Sequence, residues 1–125
     1  MRFLFAALIA ALCVSAEAAD AAFESGNALL KYMTGAGVDA ELRGWYSGYA
    51  VGFVIGIADT QDGLRNPSTG YCFAKPPGVT RGQMIKVVKK YLEEHAASRH
   101  LSAESLVQAA LDEAFPCRKS IEQRG

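Results

Sequence analysis

Two cysteines bracket the C-terminal half of the chain, Cys72 in YCFAKPPGVT and Cys117 at the end of ALDEAFPC. What two thiols can do depends on the compartment. The N-terminus reads as an export signal. Arg2 supplies the positive charge, and Phe3 to Val14 is an apolar run too short to span a membrane comfortably. Ala16-Glu17-Ala18 fits the small-x-small cleavage rule. Cleavage is expected after Ala18 or Ala19, so that 1–19 are the signal and 20–125 one helical domain. Cys13 leaves with the signal. A lipidation role for it would want a small residue before it, and Leu12 stands there. The remaining cysteines form an even count in an oxidising compartment, where a disulfide is the default. The alternative is two buried free thiols. Closing a loop of this length contributes about 4 kcal/mol in the chain-entropy account, a large fraction of a small domain's stability.

Other chemistry is hard to assemble from these residues. The two histidines, His95 and His100, stand five apart in a connector. Helical metal pairs prefer i,i+4, and no His-Glu-x-x-His occurs. Ser47 lies in Trp45-Tyr46-Ser47-Gly48, without the first glycine of a nucleophile elbow and in the middle of an expected helix. Asp59, Asp62 and Gly63 fall short of the alternating acidic pattern of a calcium loop. A Cys-His nucleophile would need a thiol that pairing removes. No catalytic residue, cofactor or metal is therefore expected. Thirteen basic and thirteen acidic residues balance and are interspersed. That excludes the basic stripe of a nucleic-acid or anionic-membrane binder. No second long apolar run follows the signal, so no membrane span is expected after cleavage.

The elements that position these residues read as helices, with no convincing strand. Residues 21–33 form a first helix with Phe23, Leu29, Leu30 and Met33 near one face, broken by TGAG. A second spans 38–59, with Asp39 as its N-cap. The 59–70 segment, DTQDGLRNPSTG, is turn chemistry throughout. Thr80-x-x-Gln83 is a capping box for a third helix with Met84, Ile85, Val88, Tyr91 and Leu92 at helical spacing. Ser102 caps a last helix carrying Leu106, Val107, Ala110, Leu111, Ala114 and Phe115, stopped by Pro116. The fold class is all-α, a compact bundle of four to five helices with one disulfide joining Cys72 to Cys117.

Gly44, Gly48, Gly52 and Gly56 recur every four residues along the second helix. Each costs about 1 kcal/mol relative to alanine. A ridge without side chains can recover that by letting another backbone approach. The first reading is a helix crossing within the chain, and the second is a homodimer seam. Trp45, Tyr46, Tyr49 and Phe53 share this helix. Core packing is the simpler reading of the four, and a partner-binding surface the alternative.

The assembled motifs resemble the Rap1a/Tai immunity family. They are GYAVGFVIGIAD, YCF-x-x-P-x-GVT-x-x-Q, VV-x-KYLEEH and LV-x-x-AL-x-x-AFPC, running from Ser25 to Cys117. The resemblance implies a periplasmic helical protein, typically homodimeric. It would bind and inhibit a peptidoglycan amidase toxin delivered by type VI secretion, without catalysis of its own. Two departures accompany it. Ala96 follows His95 where the family pattern has proline, and the first two helices lack a second cysteine pair that some members carry, Met33 and Ala50 standing where it would fit. Two other readings keep the same scaffold: a disulfide-bonded periplasmic stress chaperone opened by acid, and a structural periplasmic protein without a toxin partner. A plug needs a protruding element held at its base, and Cys72 anchors the far end of the 59–70 loop. Asp62, Leu64, Arg65 and Asn66 are the candidate contacts there. The rival surface is the Trp45/Tyr46 end of the second helix.

Overall fold

The last helix organises the molecule. In the computed structural model, which describes residues 24–117, four α-helices follow one another: α1 (Gly26–Thr34), α2 (Arg43–Gln61), α3 (Arg81–Glu94) and α4 (Ala103–Ala114). Seven of the twelve residues of α4 are buried. The core gathers around them: Leu29 from α1, Ala50, Val54 and Ala58 from α2, Met84, Val88 and Leu92 from α3, and Leu106, Val107, Ala110 and Leu111 from α4. Burying a Leu or Val side chain stabilises the fold by about 1.5–3 kcal/mol. The periodic residues expected of α3 and α4 therefore hold the bundle together. Among the described residues the only extended pairings are two isolated bridges, Ser25 with Ser102 and Phe73 with Pro116.

Cap chemistry sets the helix starts. Thr80 and Gln83 form the complete reciprocal capping box that opens α3. Ser102 Oγ accepts from the Ser105 amide and opens α4. Ser25 Oγ accepts from Ala28 N, so α1 begins at Gly26, later than the sequence pattern suggests. Gly26 is there for closeness. A Cβ on it would collide with Leu106 Cδ1 and lie 3.0 Å from the Arg99 carbonyl oxygen. Backbone bonds fasten that approach: Gly26 N donates to Leu101 O at 3.0 Å, and Asn27 N to Arg99 O at 2.8 Å.

Asp39 does not cap α2. It precedes a short 3-10 turn, Ala40–Leu42, its side chain makes no capping bond, and Leu42 stands at the N-cap of α2 instead. At its other end α2 runs on to Gln61, so the polar loop begins at Asp62. The 95–100 connector holds a second 3-10 turn, Ala96–Ser98.

The disulfide joins Cys72 to Cys117, with 5.5 Å between the Cα atoms. Around it the chain makes a small clasp. Ala74 N donates to Phe115 O at 2.9 Å and Cys117 N to Cys72 O at 3.1 Å. Phe73, at the centre, is 1% exposed. The export signal and cleavage site expected at the N-terminus, Cys13 and Phe23 lie outside the described residues.

Candidate functional site

The 62–71 loop is short of apolar anchors and rich in internal hydrogen bonds. Asp62 Oδ1 accepts from the Lys75 amide at 2.7 Å. Gly63 N donates to Phe73 O at 2.8 Å, and Asn66 N to Tyr71 O at 2.9 Å. Asn66 Oδ1 accepts from Ser68 N at 2.8 Å and Thr69 N at 3.3 Å, an Asx-type turn. Arg65 Nη1 donates to Gly70 O at 2.6 Å. Gly63 and Gly70 take φ of 73° and 77°, left-handed values that glycine adopts without a steric penalty. At the base, Lys75 Nζ lies 3.2 Å from Asp59 Oδ1.

One bond ties the loop to the core. Asn66 Nδ2 donates to Oε1 of Gln108 at 2.7 Å. Gln108 sits on α4 and is the one polar side chain among the buried described residues. Its own amide donates to Glu104 Oε1 at 3.3 Å. Nothing in the sequence marks it out, because a glutamine between Val107 and Ala109 reads as a gap in an apolar face.

Of the four loop candidates, Asn66 turns its acceptor to the loop's own backbone and Asp62 turns its acceptor to the Lys75 amide just beyond, and both fix the loop's shape. Leu64 is 57% exposed and points away from the core. Pro67, Ser68 and Thr69 are exposed beside it. The loop is thus a preformed projection with an apolar side chain outward.

The second candidate surface is the outer side of α2. No charged residue occurs between Arg43 and Asp59. Only Ala50, Val54 and Ala58 of this helix are buried. A helix apolar all round is ordinarily buried all round. Here Gly44, Gly48, Gly52 and Gly56 face outward, and a Cβ added at any of them would meet nothing within 4 Å among the described residues. No other described helix crosses the ridge: the buried side of α2 is the alanine–valine side, and the glycines lie opposite it.

The aromatics of α2 differ in burial. Phe53 packs partly against the core. Trp45 is 66% exposed. Trp45 stacks on Tyr49, and Tyr32 of α1 stacks on Tyr46 with ring centroids 4.6 Å apart. The Tyr49 hydroxyl donates to Glu24 Oε1 at 3.1 Å. Partial burial, that bond and the Glu24 charge raise the Tyr49 pKa above its ordinary value. Burial and the same carboxylate raise that of Tyr32. The Trp45/Tyr46 end and the loop are not brought together. They lie at opposite ends of α2, about 24 Å apart by helical rise.

The histidines have structural work or none visible. His95 Nδ1 is 2.7 Å from the Tyr91 carbonyl oxygen, and its ring stacks on that of Tyr91. His100 is exposed. Ser47 faces solvent in mid-helix with no histidine on its element.

A family model for the Rap1a immunity proteins matches residues 25–117. The chain belongs to that family. The match spans every helix described above and ends on the disulfide's second cysteine, in agreement with the resemblance read from the sequence motifs. Rap1a immunity proteins bind effector toxins, so the surfaces that matter are those a toxin can reach. Immunity proteins are generally not enzymes. A comparison with curated proteins finds no match. Among the described residues, no helix is long and apolar enough to cross a membrane.

Proposed function

We propose that this chain is a periplasmic immunity protein that inhibits a peptidoglycan amidase toxin delivered by type VI secretion. It acts by occlusion and performs no catalysis of its own. Family membership supports the toxin-binding part of this reading, and the export signal read at 1–19 supports the compartment. The observation that carries the binding mode is the 62–71 loop: a projection fixed from within by Asp62 and Asn66, with Leu64 outward. A preformed loop loses little conformational entropy on docking, which favours tight binding. Leu64 enters an apolar recess of the toxin's cleft, and the exposed loop backbone supplies polar contacts around it.

The protein acts as a homodimer through the outer face of α2. The charge-free run from Gly44 to Ala58 supports this, with a glycine ridge that lets a second α2 approach backbone to backbone. In a two-fold pair the same ridge serves both copies. The acid-opened chaperone is the weaker reading. It would need carboxylates at the subunit seam, and this face carries none between Arg43 and Asp59.

The deciding experiment replaces residues 62–66 with a Gly/Ser run and measures toxin inhibition beside the melting temperature. Inhibition is expected to disappear while the helical signal persists. Inhibition unchanged on an intact fold would reject the loop and move the site to the Trp45/Tyr46 end of α2. An amidase effector gene beside this one, or an amidase co-purifying from periplasmic extract, would identify the target.

A further inference from the structure

The clasp at Cys72 and Cys117 stands at the base of the loop and reaches the core through Phe73. The 62–72 segment contributes none of the buried cluster that α1 to α4 build, apart from Phe73 just beyond its end. Within the segment Leu64 is exposed and Tyr71 half-buried. The loop's place therefore depends on the Asn66–Gln108 bond and on its return leg, residues 72–75. That leg receives Gly63 N at Phe73 O and gives Lys75 N to Asp62 Oδ1. The leg in turn is held against 115–117 by the Ala74–Phe115 and Cys117–Cys72 backbone bonds and by the disulfide. Those residues follow the end of α4, where Phe115 packs against the core and its amide donates to Leu111 O, and the clasp joins them to the return leg. Cys72 is buried and Cys117 half-exposed, so the bond can be reached from one side.

We propose that the Cys72–Cys117 disulfide is a redox latch on the 62–71 loop: oxidised, it holds the loop in its binding shape, and reduced, it leaves the loop to the Asn66–Gln108 bond and its own turns, too loose to keep that shape, while the four helices remain packed. Latching removes two protons and two electrons from the thiols as the S–S bond forms. A small disulfide such as glutathione disulfide accepts them and becomes two thiols. A dithiol reverses the step and closes to its own cyclic disulfide. The protein would then lack its binding shape in a reducing compartment and acquire it only in an oxidising one. Its consequence for inhibition rests on the loop-docking reading above, and the latch itself does not.

The test compares the oxidised mature protein, the same protein in dithiothreitol, and the Cys72→Ser/Cys117→Ser variant. Amide hydrogen exchange is read at Gly63, Asn66 and Gly70, and far-UV circular dichroism follows the four helices. Exchange at the three loop amides is expected to quicken at least tenfold on reduction and in the variant, while the far-UV helical signal stays at its oxidised level. Glutathione disulfide should restore the loop in the reduced protein and leave the serine variant unaffected. Unchanged loop amides would overturn the latch. So would loss of the helical signal on reduction, since the four helices would then need the bond to stay folded. Toxin inhibition is measured in parallel. Loosened loop amides with undiminished inhibition would support the latch and reject the loop as the docking element, so the two ideas fail separately.

Discussion

Asn66 and Gln108, 42 positions apart in sequence, share a 2.7 Å hydrogen bond that joins the exposed loop to the buried face of α4. The bond fixes the loop's height over the bundle, and the Asx turn made by the same asparagine fixes its curvature. Asn66→Ala removes both and leaves the Gln108 oxygen unsatisfied. Stranding a buried polar group costs about 1–3 kcal/mol. Gln108→Leu removes the group together with its need for a partner and is expected to be milder. A double-mutant cycle by chemical denaturation should give a coupling of about 0.5–3 kcal/mol. Coupling near zero would mean that the loop is held by its own turns alone.

Leu64 separates binding from folding. Because its side chain is exposed, Leu64→Asp should shift stability by no more than about 0.5 kcal/mol. If Leu64 is the apolar anchor of the docked loop, affinity for the toxin should fall at least tenfold, about 1.4 kcal/mol. Calorimetric titration against the purified amidase reads this directly, with a thermal melt as the folding control.

Two glycines predict opposite outcomes for the same substitution. Gly26→Ala places a methyl against Leu106 and the Arg99 backbone, and should destabilise the fold by about 1–3 kcal/mol. Gly52→Ala adds a methyl to open space in mid-helix. Intrinsic propensity should stabilise the protomer by roughly 0.5–1 kcal/mol. If α2 is the dimer seam, the same methyl should weaken self-association, seen as a rise in the dimer dissociation constant by sedimentation. A more stable protomer with unchanged association would place the seam elsewhere.

The tyrosines set an alkaline limit. Tyr32, Tyr49 and Tyr91 all have pKa values raised above the ordinary 10.0, each by burial first. Nearby negative charge adds to this: Glu24 for the first two, and the Tyr71 phenolate and then Glu113 for Tyr91. A raised folded pKa means the native state binds the phenolic proton more tightly than the unfolded chain does. The stability these groups contribute is complete below pH 10 and is lost as pH rises through their folded values. A spectrophotometric titration of phenolate should show them ionising late, with helical signal falling over the same interval. Glu24→Gln should bring the Tyr49 transition to lower pH.

The sequence alone determined whatever depends on near neighbours. Thr80 with Gln83, and Ser102 before α4, are cap signals complete within four residues, and both helices begin where they point. The apolar spacing of α3 and α4 names core residues because one helical face must be buried whatever lies against it. The pairing of Cys72 with Cys117 followed from cysteine count and compartment. Tertiary structure decided the rest. Spacing revealed the glycine ridge on α2 but not the side it faces, since a helix apolar all round has no polar face to orient it. Only the packing of Ala50, Val54 and Ala58 against the other helices turns the glycines outward. The loop was legible as a loop from its turn residues. That Asp62 and Asn66 turn inward while Leu64 turns out depends on the Lys75 amide and on Gln108, partners 13 and 42 residues away. Their separation is set by how the helices pack, which local sequence does not encode.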